Sequence, residues 1–129
     1  MCGIAGFFDR RAATGTMEAE LLAGRMIDAL AHRGPDDRGT WTDPETGIAL
    51  GHRRLSIIDL SPAGHQPMVA STGRYVLTYN GEIFNWQDLR AELPPPEDGY
   101  KGHSDTEILL RGCEVWGPGA PRFLLLSSG

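Results

Sequence analysis

The pattern of apolar and polar positions predicts a chain of short strands and helices. The glycine-punctuated apolar run Gly3–Phe8 (GIAGFF) is typical of a buried strand that starts the domain. Further apolar runs at 48–50 and 55–58 predict two strands, or one strand bent at Gly51, and the run at 75–79 predicts another. Several strands of this length need a partner layer to bury their apolar faces.

Helical periodicity predicts three helices. The first covers residues 17–30, and the second covers 86–93, where three prolines end it. The third begins at a capping box formed by Ser104 and Glu107 and runs to about Trp116. The apolar residues at helical spacing in the first helix are Leu21, Leu22, Met26, Ile27 and Leu30.

The order of these elements predicts an α+β fold, because the strands and helices follow no βαβ rhythm and no internal repeat. The dipeptide Asn80-Gly81 directly follows the run at 75–79. We expect it to form a tight turn in which Gly81 takes a positive φ.

Composition narrows the class of protein. The chain has 129 residues, 40% of them apolar, with a net charge of −5, which predicts one domain and argues against nucleic-acid or membrane-surface partners. No apolar stretch approaches membrane-spanning length, and we expect a cytoplasmic protein. The two cysteines, Cys2 and Cys113, form neither a disulfide framework nor a zinc site, and Cys113 is predicted to be an inert thiol on a helix face.

Cys2 offers the most specific chemistry, because removal of Met1 would leave a thiol and a free α-amine on one residue. In model peptides these two groups titrate between about pH 7.7 and 8.5, so the residue would carry a nucleophile and a base of matched strength. From its position alone, a small buried cysteine that serves only packing explains Cys2 as well.

Several stretches of the chain, in order, resemble the class II glutamine amidotransferases, which are N-terminal-nucleophile hydrolases. The resemblance is greatest to the glutaminase domain of glutamine-hydrolysing asparagine synthetases. It implies an αββα sandwich of antiparallel sheets and hydrolysis of glutamine to glutamate and ammonia. The matching stretches are MCGIAGFF, AHRGPDD, GHRRLSIIDLSPAGHQPM, YNGEIFN and SDTE.

The resemblance also implies a role for individual residues. Cys2 would attack the glutamine side-chain amide and form a glutamyl thioester, while the Asn80 side chain and the Gly81 N–H would form the oxyanion hole. Arg54 would bind the substrate α-carboxylate and Asp105 its α-ammonium. The remaining residues expected to contact substrate are Leu55, Ser56, Ile57, Ile58 and Glu82.

Simpler structural roles compete with each of these assignments. Asn80-Gly81 alone is an ordinary turn, Arg54 alone a solvated arginine at a strand end, and Asp105 alone a residue that favours a helix N-terminus through the dipole. Arg53 is expected to be a solvated strand-end arginine. The four histidines, His32, His52, His65 and His103, lack metal-ligand spacing and are interpreted as structural, and the role of the His32 loop stays open.

The family pattern covers residues 1–117, and residues 118–129 follow it only loosely. We therefore expect a C-terminally incomplete sandwich, a divergent tail at 118–129 and no synthetase domain. Such a chain would be a truncated or frame-shifted fragment, or a short form that completes its sheets by self-association, with Leu126 and the two leucines before it as an exposed apolar remainder.

The glutaminase step needs no cofactor, and ATP and Mg²⁺ are expected only for the absent synthetase domain. The expected partners are L-glutamine and either a synthetase domain or a second copy of the chain. The alternative function is a catalytically silent or truncated module that binds glutamine or a partner without turnover. The ammonia acceptor is not specified by these residues.

Overall fold

The computed structural model describes residues 1–56, 61–123 and 126–128, and these form a mixture of helices and antiparallel sheets, which confirms the α+β class. The described residues divide into two units. The first unit contains 1–56, 65–67 and 78–80, and the second contains the other described residues. Among the described residues, no helix combines the length and apolar character that crossing a bilayer requires.

Short strands outnumber helices among the described elements. The strands are β1 (Gly3–Phe8), β2 (Asp37–Asp43), β3 (Ile48–Arg54), β4 (Met68–Val69), β5 (Val76–Leu77), β6 (Gly81–Ile83) and β7 (Leu126–Ser128). The helices are α1 (Thr16–Asp28), α2 (Trp86–Glu92) and α3 (Asp105–Trp116), with 3₁₀ turns at Ala31–Arg33, Pro62–Gly64 and Gly117–Phe123.

The first unit is a three-stranded antiparallel sheet in the order β1-β3-β2, with α1 packed on one face. The helix approaches the sheet closely at Gly51, where an added Cβ would lie 2.4 Å from the Ile27 side chain. The buried residues Ala19, Ala23 and Ala49 form the core of this unit. Small residues therefore set the distance between helix and sheet.

Helix α1 forms close to its predicted range, which confirms the helix predicted from the apolar spacing. Among the apolar residues at that spacing, Ile27 is fully buried, whereas Leu21 is 62% exposed and Leu22 and Met26 are about 40% exposed. The other buried residues of the helix are small, namely Ala19, Ala23 and Gly24.

Three strand predictions need correction. Strand β3 is one continuous strand through Gly51 to Arg54, and the described residues of the run at 55–58 lie beyond its end. Strand β2 carries the polar sequence DRGTWTD and has no apolar signal of its own, so the pattern missed it. Strand β1 is half exposed rather than buried, because α1 covers only one of its faces.

The second unit contains the β4–β5 hairpin, the β6–β7 pair and helices α2 and α3. The hairpin turns at Gly73, which has a φ of +72°, and Ala70 donates its N–H to the Tyr75 carbonyl at 2.9 Å. The Glu114 carboxylate on α3 accepts the Thr72 N–H at 3.0 Å. The hairpin is thereby fastened to α3.

The turn predicted at Asn80-Gly81 is not formed, since Gly81 is the first residue of strand β6. The strand at 75–79 is reduced to Val76–Leu77, and its partner is β4 rather than β6. The hairpin turn therefore precedes β5, at Gly73, where the chain needs the positive φ.

Helix α3 begins as the capping box predicts, with the Ser104 Oγ accepting the Glu107 N–H at 3.2 Å. The Glu107 carboxylate does not return to the cap residue. It accepts the N–H groups of Lys101 and Gly102 at 2.6 and 3.0 Å, which fixes the loop that leads into the helix. At the other end of the chain, β7 pairs with β6 and sets Leu126 opposite Ile83, while residues 124 and 125 lie outside the described part.

Candidate functional site

Strand β1 brings Cys2 to the end of β3. Gly3 pairs with Arg53, and continuing this antiparallel register sets Cys2 opposite Arg54. The Cys2 Sγ accepts the Leu55 N–H at 3.3 Å and lies 3.7 Å from the Leu55 carbonyl oxygen, to which its S–H can donate. Met1, which must be removed to free the Cys2 amine, is 57% exposed. The predicted nucleophile therefore lies at the predicted substrate-binding segment.

The loop at 34–36 holds the segment at 53–56 in place. The Asp36 N–H donates to the Arg54 carbonyl at 3.0 Å, and the Asp36 carboxylate accepts the Ser56 N–H at 2.8 Å. An added Cβ at Gly34 would lie 2.5 Å from the Arg53 backbone, so the loop packs directly on β3. The AHRGPDD stretch was the signal for this contact, and its role was left open.

The two neighbouring arginines point to opposite faces of β3. Arg54 is buried, with 7% of its surface exposed, so it is not the solvated arginine of the simpler interpretation. Arg53 is only partly exposed, and its Nε is buried without a partner among the described residues, which corrects the prediction of a solvated side chain. Strand alternation puts Arg53 on the same face as Gly51, towards α1. Ile57 and Ile58 lie outside the described residues.

Asn80 belongs to the same unit as Cys2 and follows a tightly held residue. Tyr79 donates its N–H to the Gln66 Oε1 at 2.7 Å, and its carbonyl oxygen lies 3.2 Å from the His52 Nε2. His52 and Arg54 are two residues apart on β3 and so share a face of the sheet. Cys2, Arg54, Leu55, Ser56 and the backbone entering Asn80 are thus assembled around one end of β3.

The second unit holds the other predicted residues, Gly81, Glu82 and Asp105. Asp105 is the first residue of α3 and is 6% exposed, and its Oδ2 accepts the Ile83 N–H of β6 at 3.0 Å. Burial raises the pKa of the Asp105 carboxyl, against the lowering effect of its backbone hydrogen bonds, and the Glu82 charge raises the pKa further. Asp105 therefore anchors β6 from a buried position in which its charged form is disfavoured.

Two further ionisable groups have their own local environment. The His65 Nδ1 lies 2.6 Å from the Asp37 carboxylate. Burial raises the pKa of the Cys113 thiol. Within 1–56, 61–123 and 126–128, no three His, Cys, Asp or Glu side chains cluster as metal ligands would.

Comparison with known proteins shows what the chain is similar to. A family model described as a glutamine amidotransferase domain matches residues 1–124. The chain is 37% identical over 118 residues to "Asparagine synthetase [glutamine-hydrolyzing] 3" of Bacillus subtilis, covering 90% of this chain and 18% of that protein. It is 38% identical over 118 residues to "Asparagine synthetase B [glutamine-hydrolyzing]" of Escherichia coli, covering 92% of this chain and 20% of the relative.

The relatives do not all carry the same name. The chain is also 38% identical over 120 residues to "Amidase chry2" of Gibberella zeae, covering 85% of this chain and 17% of that protein. The chain thus spans about a fifth of the length of these relatives. The family model, which covers almost the whole chain, confirms the resemblance predicted from the motifs: the chain belongs to the glutamine amidotransferase domain family.

Proposed function

We propose that this domain hydrolyses the side-chain amide of L-glutamine, with Cys2 as the nucleophile after removal of Met1. The observation that carries the proposal is the Cys2 sulfur at hydrogen-bond distance from the backbone of Leu55, which follows the buried Arg54 in the chain. A thiol that lies close to a cation is more easily deprotonated, and the thiolate is the nucleophile. The family match adds independent support.

The proposed reaction proceeds through a glutamyl thioester. The Cys2 sulfur bonds to the amide carbon, the π electrons of the C=O move to its oxygen, and the thiol proton passes to the α-amine of Cys2. The amine gives this proton to the amide nitrogen, the C–N bond breaks, and ammonia leaves. Water then adds with the same amine as base, the C–S bond breaks, and glutamate leaves the restored thiol.

The negative charge that develops on the amide oxygen requires fixed donors. The side-chain amide of Asn80 and the N–H of Gly81 are the donors we assign to it. A donor of this kind lowers the barrier by about 3 to 4 kcal/mol when it is held in position before the reaction. The hydrogen bonds that fix Tyr79, the residue before Asn80, support this assignment.

Recognition of glutamine is assigned to a fixed cation and a fixed anion. Arg54 would bind the α-carboxylate, since a planar guanidinium can donate two parallel hydrogen bonds to it. Asp105 would bind the α-ammonium. Leu55, Ser56, Ile57, Ile58 and Glu82 remain proposed substrate contacts. The burial of both Arg54 and Asp105 supports these roles, because an interaction with a charged substrate group is stronger where water is excluded.

For the whole protein we propose an αββα sandwich and ammonia transfer of the asparagine-synthetase kind. Helix α1 and the sheet β1-β3-β2 would be two of the four layers of this sandwich. Ile4 and Phe8 are 46% and 62% exposed, and they project from β1 on the side away from α1. A second sheet would cover them. A synthetase domain would bring ATP and Mg²⁺, and the glutaminase step would need neither.

The test is release of glutamate and ammonia from glutamine by the purified chain, compared with Cys2→Ala and Cys2→Ser. We expect both variants to lower the rate by about 10³-fold or more while they retain the melting temperature. Unchanged release by Cys2→Ala would overturn the nucleophile assignment. Thermal stabilisation by glutamine with no ammonia formed would instead identify the silent binding module.

A further inference from the structure

The peptide groups on both sides of the Tyr79 Cα are held by buried side chains that the glutaminase chemistry does not use. The Gln66 Oε1 accepts the Tyr79 N–H at 2.7 Å, and the His52 Nε2 lies 3.2 Å from the Tyr79 carbonyl oxygen. His52 is 1% exposed and Gln66 is 6% exposed. Two buried polar side chains from separate segments thus converge on one residue.

The chemistry of the contact defines the state of His52. A carbonyl oxygen only accepts hydrogen bonds, so the His52 Nε2 must carry the hydrogen. Burial lowers the pKa of His52, which favours the neutral ring. His52 is therefore a neutral donor with a fixed tautomer.

The segment that carries Gln66 rests on the sheet at a position without a side chain. Gly39 of β2 pairs with His52 of β3, and an added Cβ at Gly39 would lie 2.0 Å from the Gln66 carbonyl oxygen. The same Cβ would lie 2.8 Å from the His65 ring. Gly39 therefore allows Gln66 to lie next to His52, and both side chains contact the Tyr79 backbone.

We propose that His52 and Gln66 are positioning residues that hold Asn80 in the geometry of an oxyanion donor. The Tyr79 carbonyl and the Asn80 Cα belong to one planar peptide group, so the His52 hydrogen bond orients the backbone from which the Asn80 side chain projects. Gln66 fixes the preceding peptide group in the same way. This inference rests on the proposed function, because it assigns a purpose to the position of Asn80.

The effect of His52 on the position of Asn80 is measurable in kcat, since a displacement of about 1 Å at a reacting centre can lower turnover about a hundredfold. His52→Leu removes the donor at similar volume, whereas His52→Gln can still offer an N–H near the position of Nε2. We expect His52→Leu to lower kcat about tenfold to a hundredfold with KM changed less than about threefold, and His52→Gln to return kcat to within about threefold of the parent. Equal losses in the two variants would overturn the proposal.

A double-mutant cycle separates positioning of Asn80 from a general structural effect. If His52 acts through Asn80, His52→Leu should change kcat less than about twofold in an Asn80→Ala background. A full additional loss in that background would overturn the proposal. Ile27→Val is the stability control, because it loosens the same unit at a fully buried site without touching Tyr79 and should leave kcat unchanged.

Amide hydrogen exchange tests the Gln66 hydrogen bond without catalysis. We expect the Tyr79 amide to exchange at least about tenfold faster in Gln66→Met than in Gln66→Glu, because the Gln66 Oε1 accepts its N–H. Equal exchange in the two variants would overturn the role of Gln66. A parent chain that releases no glutamate would contradict the proposed function, while the exchange rates would still decide whether Gln66 holds this backbone.

Discussion

The backbone before Asn80-Gly81 and the backbone after it are anchored by different chemistry. Before the dipeptide, neutral side chains of His52 and Gln66 hold the Tyr79 peptide groups. After it, the buried carboxylate of Asp105 holds the Ile83 N–H at 3.0 Å. A neutral amide could accept the Ile83 hydrogen bond without the cost of burying a charge, so anchoring alone does not explain the carboxylate.

We propose that this contrast separates residues that position the site from residues that bind the substrate charge. Neutral side chains such as those of His52 and Gln66 can fix the position of the backbone, and their loss should reduce turnover. A buried charge with a raised pKa is typical of a functional site, and its loss should reduce affinity for a substrate of opposite charge.

The largest effect is expected at Asn80. Asn80→Ala should lower kcat about 10²-fold to 10³-fold with little change in KM, because the donor acts on charge that exists only in the transition state. Asn80→Asp, similar in shape but negatively charged, should be at least as slow. Steady-state glutaminase kinetics check both variants, and a rise in KM at constant kcat would remove Asn80 from the oxyanion hole.

The next effect is expected at Arg54. Arg54→Lys keeps the charge but loses the paired donors, and it should raise KM for glutamine about tenfold to a hundredfold. Arg53→Lys is the matched control, because Arg53 is the neighbouring arginine on the opposite face of β3 and should leave KM unchanged. Equal KM values in the two variants would contradict the carboxylate-binding role of Arg54.

A smaller loss of affinity, with an unusual stability effect, is expected at Asp105. Asp105→Asn should raise KM about tenfold and still accept the Ile83 N–H. Because the pKa of Asp105 is raised on folding, its contribution to stability is complete below pH 3.8 and is lost as the pH rises through the folded-state pKa. At pH 7 the variant should therefore melt at the same temperature as the parent or higher.

Asp98→Asn, which changes an exposed carboxylate, is the control for the Asp105 experiment and should alter neither KM nor the melting temperature. A fall in the melting temperature of Asp105→Asn with an unchanged KM would contradict the division. It would make the carboxylate a structural anchor only.

The smallest effect is expected in the pH dependence of stability at His52. Burial lowers the pKa of His52, opposed by the Tyr79 hydrogen bond and the Asp37 charge and aided by the charges of Arg54 and His65. The resulting stability is present above pH 6.5 and is lost as the pH falls through the folded-state pKa. Chemical denaturation of the parent and His52→Gln between pH 8 and pH 5 should show a steeper loss for the parent, and parallel curves would contradict a buried neutral ring.

The sequence predicted the elements that have their own local signal. Strand β1, helix α2 and the Ser104 cap follow from an apolar run, a proline stop and a side-chain acceptor, which are all local features. Strand β2 could not be predicted in this way, because it is polar and its pairing with β3 depends on residues distant in the chain. The apolar spacing of α1 likewise predicted the helix but not which of its residues are buried, because that depends on how the helix packs on the sheet.

The sequence motifs name candidate site residues, but they do not indicate which residues hold them in position. The motifs named Cys2, Arg54 and Asn80, but nothing local indicated that Asp36 would hold Ser56 or that His52 would hold Tyr79. These contacts join residues 20 and 27 positions apart in the chain. Only the fold brings such partners together.

The central claim is that Cys2 becomes a competent N-terminal nucleophile, and the intact mass of the purified chain tests it most directly. The mass is measured before and after incubation with a glutamine-like diazoketone, which alkylates a reactive thiol, and Cys2→Ala is treated in parallel to report on Cys113. The account predicts loss of Met1 and a single adduct that Cys2→Ala does not form. Retention of Met1, or an equal adduct on Cys2→Ala, would contradict it.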